Sequence, residues 1–350
     1  MNVKILSMKL ILVCVLVSCQ RTKEKTFEEQ ATELIKEVNE QNRKENEAKL
    51  KQNDFSDGVQ EIMEYFDYNE PVIAKYTNII TIKSTADFDK LKNENPSSIK
   101  SIYIDNYNAK IEIDDISVLD KLEYLKVRSI DSIPNGFYNL KNLKAFIAAN
   151  ELKCKIDGRI TKLSNLEYLE LLFTHTELPN EIEELRKLET IRLYNFSHNQ
   201  PYENIYQIPN LETLWIRFSN VTQLDGISNL KNLKILVTNK VSSEIGDLNL
   251  TGLNVGENND ETYPVELSRL KNLVAFYWQG NRVRESPPEF LSELNKLEYL
   301  EIRGCSNFKE IPQEFNELSN LKRFEIIFGH GEFTGKIDHL DKINDIIRIR

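Results

Sequence analysis

Leu188-Glu189-Thr190-Ile191-Arg192-Leu193-Tyr194 and Leu211-Glu212-Thr213-Leu214-Trp215-Ile216-Arg217 share one frame, L-x-x-L-x-L. With Leu, Ile, Val or Phe at the apolar places, the frame starts at Ile99, Leu122, Leu143, Leu166, Leu188, Leu211, Leu233, Leu250, Leu273, Leu297 and Leu321. Successive starts are spaced almost evenly, and only the step from Leu233 to Leu250 is clearly shorter. Alternating apolar places form a strand, and one strand per interval means stacked units that bury their faces against neighbours. The chain is therefore expected to be an α/β solenoid of about 11 repeats. Such a stack builds one broad surface from many short strands.

Working backward, residues 55–98 form an N-terminal cap. Val59, Ile62, Met63 and Phe66 occupy one helix face, and Ile80 and Ile82 alternate as a strand. Counting back one interval from Ile99 reaches Thr77, which puts Ile80 and Ile82 at the fourth and sixth places of a degenerate repeat. Ser84 is spaced to cap a short helix carrying Phe88 and Leu91. Residues 19–54 are dense in Glu, Lys, Gln and Asn and read as a charged helical tether. The stripe Phe27, Ala31, Leu34 and Val38 is too brief for a sustained coiled coil.

Residues 1–18 have the build of an export signal: Lys4 and Lys9 precede the short apolar run Leu10 to Val17. That run cannot span a bilayer, which takes about 20 residues. Leu16-Val17-Ser18-Cys19 resembles the bacterial lipobox, which implies acylation of Cys19 and anchoring to a membrane. Each acyl CH₂ would contribute about 0.8 kcal/mol, so two or three chains hold stably. By the same resemblance, the absence of Asp after Cys19 permits transfer to the outer membrane or surface of a Gram-negative cell; in a host with one membrane, the anchor is the outer leaflet of that membrane. The net charge of −10 argues against broad nucleic-acid binding, which needs Lys and Arg to displace counterions. Cys154 and Cys305 fall seven strand spacings apart, roughly 34 Å, so no bridge between them is expected.

Residues 99–329 resemble the leucine-rich repeat family, whose unit reads L-x-x-L-x-L-x-x-N-x-L. Leu273, Phe276, Trp278 and Asn281 match it, as do Leu250, Leu253, Val255 and Asn258; Leu297, Leu300, Ile302 and Cys305 match its Cys variant. The resemblance implies a horseshoe with a parallel sheet on the concave face and short helical or 3₁₀ arcs on the convex face. Tyr107, Ile130, Thr174, Phe196, Ser219, Val241 and Gly329 depart at the ninth place. Backbone groups that the family satisfies with Asn there must then be satisfied otherwise. Ile133-Pro134, Leu178-Pro179, Ile208-Pro209 and Ile311-Pro312 mark entries to the arcs. The short unit between Leu233 and Leu250 leaves no room for a helix, and a kink or thinned edge is expected there. Residues 330–350 form a partial repeat or cap, with Ile347 and Ile349 as a last strand one interval after its predecessor. Either Arg348 and Arg350 blunt that edge or a partner covers it.

Places three, five and seven of each strand point to the concave face. They collect Tyr168, Glu170, Thr190, Arg192, Tyr194, Thr213, Trp215, Arg217, Tyr277, Tyr299, Glu301 and Arg303. Arg192, Tyr194, Trp215 and Arg217 are neighbours on two adjacent strands, with Tyr168 and Tyr277 at the flanks. Tyr, Trp and Arg dominate binding energy at interfaces, so these six are the candidate ligand-binding residues. The plainer reading is that aromatics suit strands and that Glu170 pairs with Arg192. Gly252, Asn254 and Gly256 leave a bare strip, open to a ligand or a packing consequence of the short unit. No catalytic constellation is found: His175, His198, His330 and His339 are scattered, and the Gly335-Lys336 loop lacks the pattern of a phosphate site. The expectation is a lipid-anchored recognition module for an unknown protein or glycan, without cofactor, metal or enzymatic activity. An envelope scaffold using convex arcs and solenoid ends is the alternative.

Overall fold

The computed structural model describes residues 55–66, 75–76, 78–106, 110–129, 131–149, 155–172, 178–194, 203–217, 224–258, 262–280, 287–303, 311–327 and 346–349. The signal at 1–18, Cys19 and the tether at 19–54 lie outside them. So do Thr77, Cys154, Cys305, all four histidines, the Gly335-Lys336 loop and the ninth-place residues apart from Val241 and Asn258.

Thirteen parallel strands form one sheet in chain order. They are β1 (Ile80–Ile82), β2 (Ser101–Asp105), β3 (Tyr124–Arg128), β4 (Ala145–Ala149), β5 (Tyr168–Leu172), β6 (Thr190–Tyr194) and β7 (Thr213–Arg217). The sheet continues with β8 (Ile235–Thr238), β9 (Gly252–Asn258), β10 (Ala275–Gly280), β11 (Tyr299–Arg303), β12 (Arg323–Ile327) and β13 (Ile346–Ile349). Register follows the leucine frame: Ile191 of β6 pairs with Leu214 of β7, and Ile80 and Ile82 pair with Ile102 and Ile104. The degenerate repeat is thus a genuine first strand. The last strand sits one position earlier than its spacing predicted, with Ile346 opposite Phe324 and Arg348 opposite Ile326.

Places one, four and six supply the core. Leu188, Ile191 and Leu193 are fully buried, as are their counterparts Leu211 and Leu214. A single apolar cluster runs from Ile82 to Ile326. Each such side chain contributes roughly 1.5–3 kcal/mol by leaving water. The first arc carries an α-helix, Thr85–Glu94, capped by Ser84, whose side chain accepts from the Asp87 N–H. The described arcs between β2 and β12 are short 3₁₀ turns. Pro179, Pro264, Pro288 and Pro312 immediately precede turns, since a fixed φ and a missing N–H suit that position. Pro209 does not: it follows the turn Ile205–Gln207, so Ile208-Pro209 is an exit rather than an entry.

The short unit keeps its arc. Its turn, Ser243–Asp247, is as long as the turn Val265–Arg269 that follows, and Ile235 of β8 still pairs with Gly252 of β9. A 3₁₀ turn needs far fewer residues than an α-helix, so the expected thinning does not occur. The shortening falls on the connection out of β8, which runs only from Thr238 to Ser243.

Backbone groups between units are satisfied from the residue before the first leucine. Asn142, Asn165, Asn210, Asn232 and Asn320 each donate Nδ2 to a carbonyl of the preceding unit at 2.6–2.7 Å. Where Lys replaces Asn, as at Lys187, its ammonium reaches back to Asn165 Oδ1 at 2.7 Å.

The N-terminal helix α1 (Asp57–Phe66) lies elsewhere than the cap position read from its sequence. It packs against β8, β9 and β10. Val59, Ile62 and Phe66 are buried, yet none belongs to the continuous core of the solenoid. Its seat is the place where a strand carries no side chain: a Cβ on Gly252 would fall within the Ile62 side chain.

Candidate functional site

The six candidate concave anchors form two groups. On β5 to β7, the Tyr168 hydroxyl donates to the Glu170 carboxylate, and Arg192 Nη1 donates to both at 3.4 Å. The Arg192 guanidinium stands 5.1 Å from the Trp215 ring centroid, on whose ring Tyr194 stacks at 5.5 Å and 27°. Parallel register makes this possible by placing Glu170, Arg192 and Trp215 side by side on neighbouring strands. The second group centres on Tyr277 of β10. Arg217 lies 5.9 Å and Arg303 5.1 Å from its ring, and its hydroxyl donates to Gln279 Oε1 at 2.9 Å. Arg217 reaches across β9 because Gly256 leaves space; a Cβ there would meet its guanidinium.

These anchors are far less open than concave residues of a bare sheet. Trp215 is 1% exposed, Arg192 2%, Arg217 and Tyr168 5% each and Tyr277 8%; Tyr194 alone is half-buried. Taking charges from water is expensive, and it is the mutual pairing of Glu170 with Arg192 that offsets the loss. Burial, with the Glu170 carboxylate beside it, pushes the Tyr168 hydroxyl well above its ordinary range. A related network extends to β11 and β12. Tyr299 and Arg303 both donate to Glu301, and Arg323 donates to Glu325 at 2.6 Å. Burial raises the Glu301 carboxyl against the pull of Arg303, and Glu325 adds to the rise. Tyr194, Gln279 and Arg303 are the half-buried members of these networks and offer an aromatic plane, an amide and a guanidinium. Among the described residues no group of three or more His, Cys, Asp or Glu could hold a metal ion, and no helix is long and apolar enough to cross a membrane.

The N-terminal segment completes the site. Phe55 meets Tyr299 edge-on at 6.1 Å, and the Ser56 N–H donates to Glu298 at 3.0 Å. Tyr76 packs on Tyr124 at 4.8 Å, and with Ile79 it covers Ala145, Ile147 and Tyr168. The glycine strip is therefore filled from within, by Ile62 at Gly252 and by Arg217 at Gly256. Phe55, Ile62 and Tyr76 are not among the candidate residues that the repeat frame selects. The signal for Ile62 is the apolar stripe Val59, Ile62, Met63 and Phe66, which has no place in that frame; Phe55 and Tyr76 lie outside the stripe.

No family model matches the chain. Among solved structures, a repeat protein of Leptospira interrogans superposes with a TM-score of 0.59 and 22% identity, covering 77% of each chain. The fold is the leucine-rich repeat solenoid. The internalin inlF of Listeria monocytogenes shares this fold at a TM-score of 0.51 and 16% identity, over 71% of this chain and 80% of that one. The plant peptide hormone receptor RGFR1, in complex with RGF2, superposes at 0.51 and 22% identity over 69% of this chain and 42% of its own. By sequence, the chain is 25% identical over 254 residues to disease resistance protein RPS4B of Arabidopsis thaliana, covering 65% of this chain. It is 22% identical over 222 residues to human lumican, covering 56% of this chain. It spans only 21% of the resistance protein's length and 63% of lumican's.

Proposed function

We propose that this leucine-rich repeat protein is a lipoprotein, anchored through Cys19 at the outer membrane or cell surface, that recognises a protein or glycan through its concave face. The observation carrying the reading is the ordered Tyr, Trp and Arg array of Tyr168, Arg192, Tyr194, Trp215, Arg217 and Tyr277. Side chains already held by their neighbours lose little freedom when a partner arrives. The solenoid fold, shared with the RGF2-bound plant receptor, supports a recognition role.

The test is retention of a surface partner by the full chain in detergent. Replacing Trp215 and Arg217 with Ala lowers retention by about tenfold or more, as expected for interface anchors. Because both are buried, Tyr194→Ala, at a half-buried position, accompanies them, with circular dichroism to verify the fold. Unchanged retention in both variants overturns the assignment. The burial of five of the six anchors favours a second reading, a scaffold that uses convex arcs and solenoid ends. In that case the concave variants are silent and removal of residues 330–350 releases the partner.

A further inference from the structure

We infer that Phe55–Phe66 is an internal ligand of the concave face, a strap that occupies the recognition surface and must leave before a partner binds there. The inference rests on the concave-face reading above.

Three observations carry it. The seat of α1 is not the open end of the solenoid, where a cap is needed, but the beginnings of β8 to β10, where Gly252 is the first residue of β9. Its shape matches the helix: Ile62 fills the space that Gly252 leaves empty. Glycine leaves the start of β9 without a side chain, and its use there is explained by the close approach of another group. The strap stands apart from the repeats: Phe55, Val59, Ile62 and Phe66 are buried, yet none is part of the repeat core. The core from Ile82 to Ile326 is continuous without the strap. Beside the helix a cleft of about 340 Å³ remains, lined in part by Ile62, Tyr65, Tyr168, Thr190, Thr213 and Ile235. The described bond from the strap backbone to the solenoid is that of the Ser56 N–H to the Glu298 carboxylate. A helix that buries its apolar side outside a self-sufficient core can open as a local unit without opening that core. A partner competing for this seat must bring an aliphatic side chain of about the size of isoleucine to Gly252.

The strap can be locked for a test. Ile62 Cβ lies 3.5 Å from an ideal Cβ on Gly252, within disulfide reach. The full chain carrying Ile62→Cys and Gly252→Cys is compared, reduced and oxidised, by hydrogen exchange with mass spectrometry, alongside wild type. Wild-type and reduced α1 amides are expected to exchange about 100-fold or more faster than those of β9. Oxidation should slow α1 to the rate of the strands and leave the strands unchanged. Failure of the engineered pair to crosslink, or α1 amides as slow as β9 in wild type, overturns the strap. Ile62→Asp in the full chain is the second variant. It should free α1 while β8 to β10 keep their protection; loss of protection in those strands makes the helix a structural part and ends the inference. Neither readout uses a partner, so failure here leaves the Trp215 and Arg217 retention test standing, and the reverse holds too.

Discussion

Glu298 links the strap to the solenoid through one carboxylate. It accepts from the Ser56 N–H at 3.0 Å and pairs with Lys322 at 3.2 Å. Burial acts to raise its pKa, but the Ser56 N–H and Lys322 outweigh burial and hold it below its ordinary value. A carboxyl depressed in the docked state contributes to docking above the ordinary Glu range, near pH 4.3, and the contribution is lost as pH falls through the lowered value. Acidification from about pH 5 to about pH 3 is therefore expected to speed exchange of the α1 amides relative to β9. Glu298→Gln should flatten that dependence; an unchanged pH profile in the variant would show that Glu298 is not the group responsible.

At the scale of the element, the recurring unit is a strand, a 3₁₀ turn and a polar side chain, most often Asn, that reaches back one unit. Among the described residues an asparagine ladder stands before the first leucine. Asn232 Nδ2 donates to the Pro209 carbonyl at 2.7 Å. Asn232→Ala should lower stability by about 1 kcal/mol, the usual net worth of one hydrogen bond. Chemical denaturation checks this, and an effect indistinguishable from zero would mean that solvent replaces the ladder there. The signal is present in the sequence as the recurring Asn-Leu pair, for example Asn142-Leu143, Asn165-Leu166 and Asn210-Leu211. A search guided by the ninth place passes it over.

For the whole molecule, stability is carried from neighbour to neighbour. Leu125 of β3 is fully buried. Leu125→Ala removes packing and leaves a cavity, at a cost of about 2–5 kcal/mol. In a quasi-one-dimensional stack that loss is felt locally. Hydrogen exchange should rise in β2 to β4 and stay unchanged in β10 to β12. Uniform loss of protection along the sheet would show instead that the thirteen strands unfold as one unit.

The leucine period by itself determined the fold: strand positions, parallel order and, from β1 to β12, register follow from apolar residues recurring once per unit, because each unit can bury them only against the next; β13 is shifted by one residue. It placed β1 through Ile80 and Ile82, and it identified which side chains share the concave face. It did not decide whether that face is open. The stripe Val59, Ile62, Met63 and Phe66 announces a helix with one buried side, but amphipathicity names no partner. Only the tertiary structure matched that stripe to Gly252, on a strand far along the chain. It turned the bare glycine strip from a gap into the seat of Ile62 and Arg217. Burial of Arg192 and Trp215 likewise depends on what packs over and beside them in space. The frame sets which of these side chains are neighbours, but a pattern that returns once per unit does not record how completely they are covered.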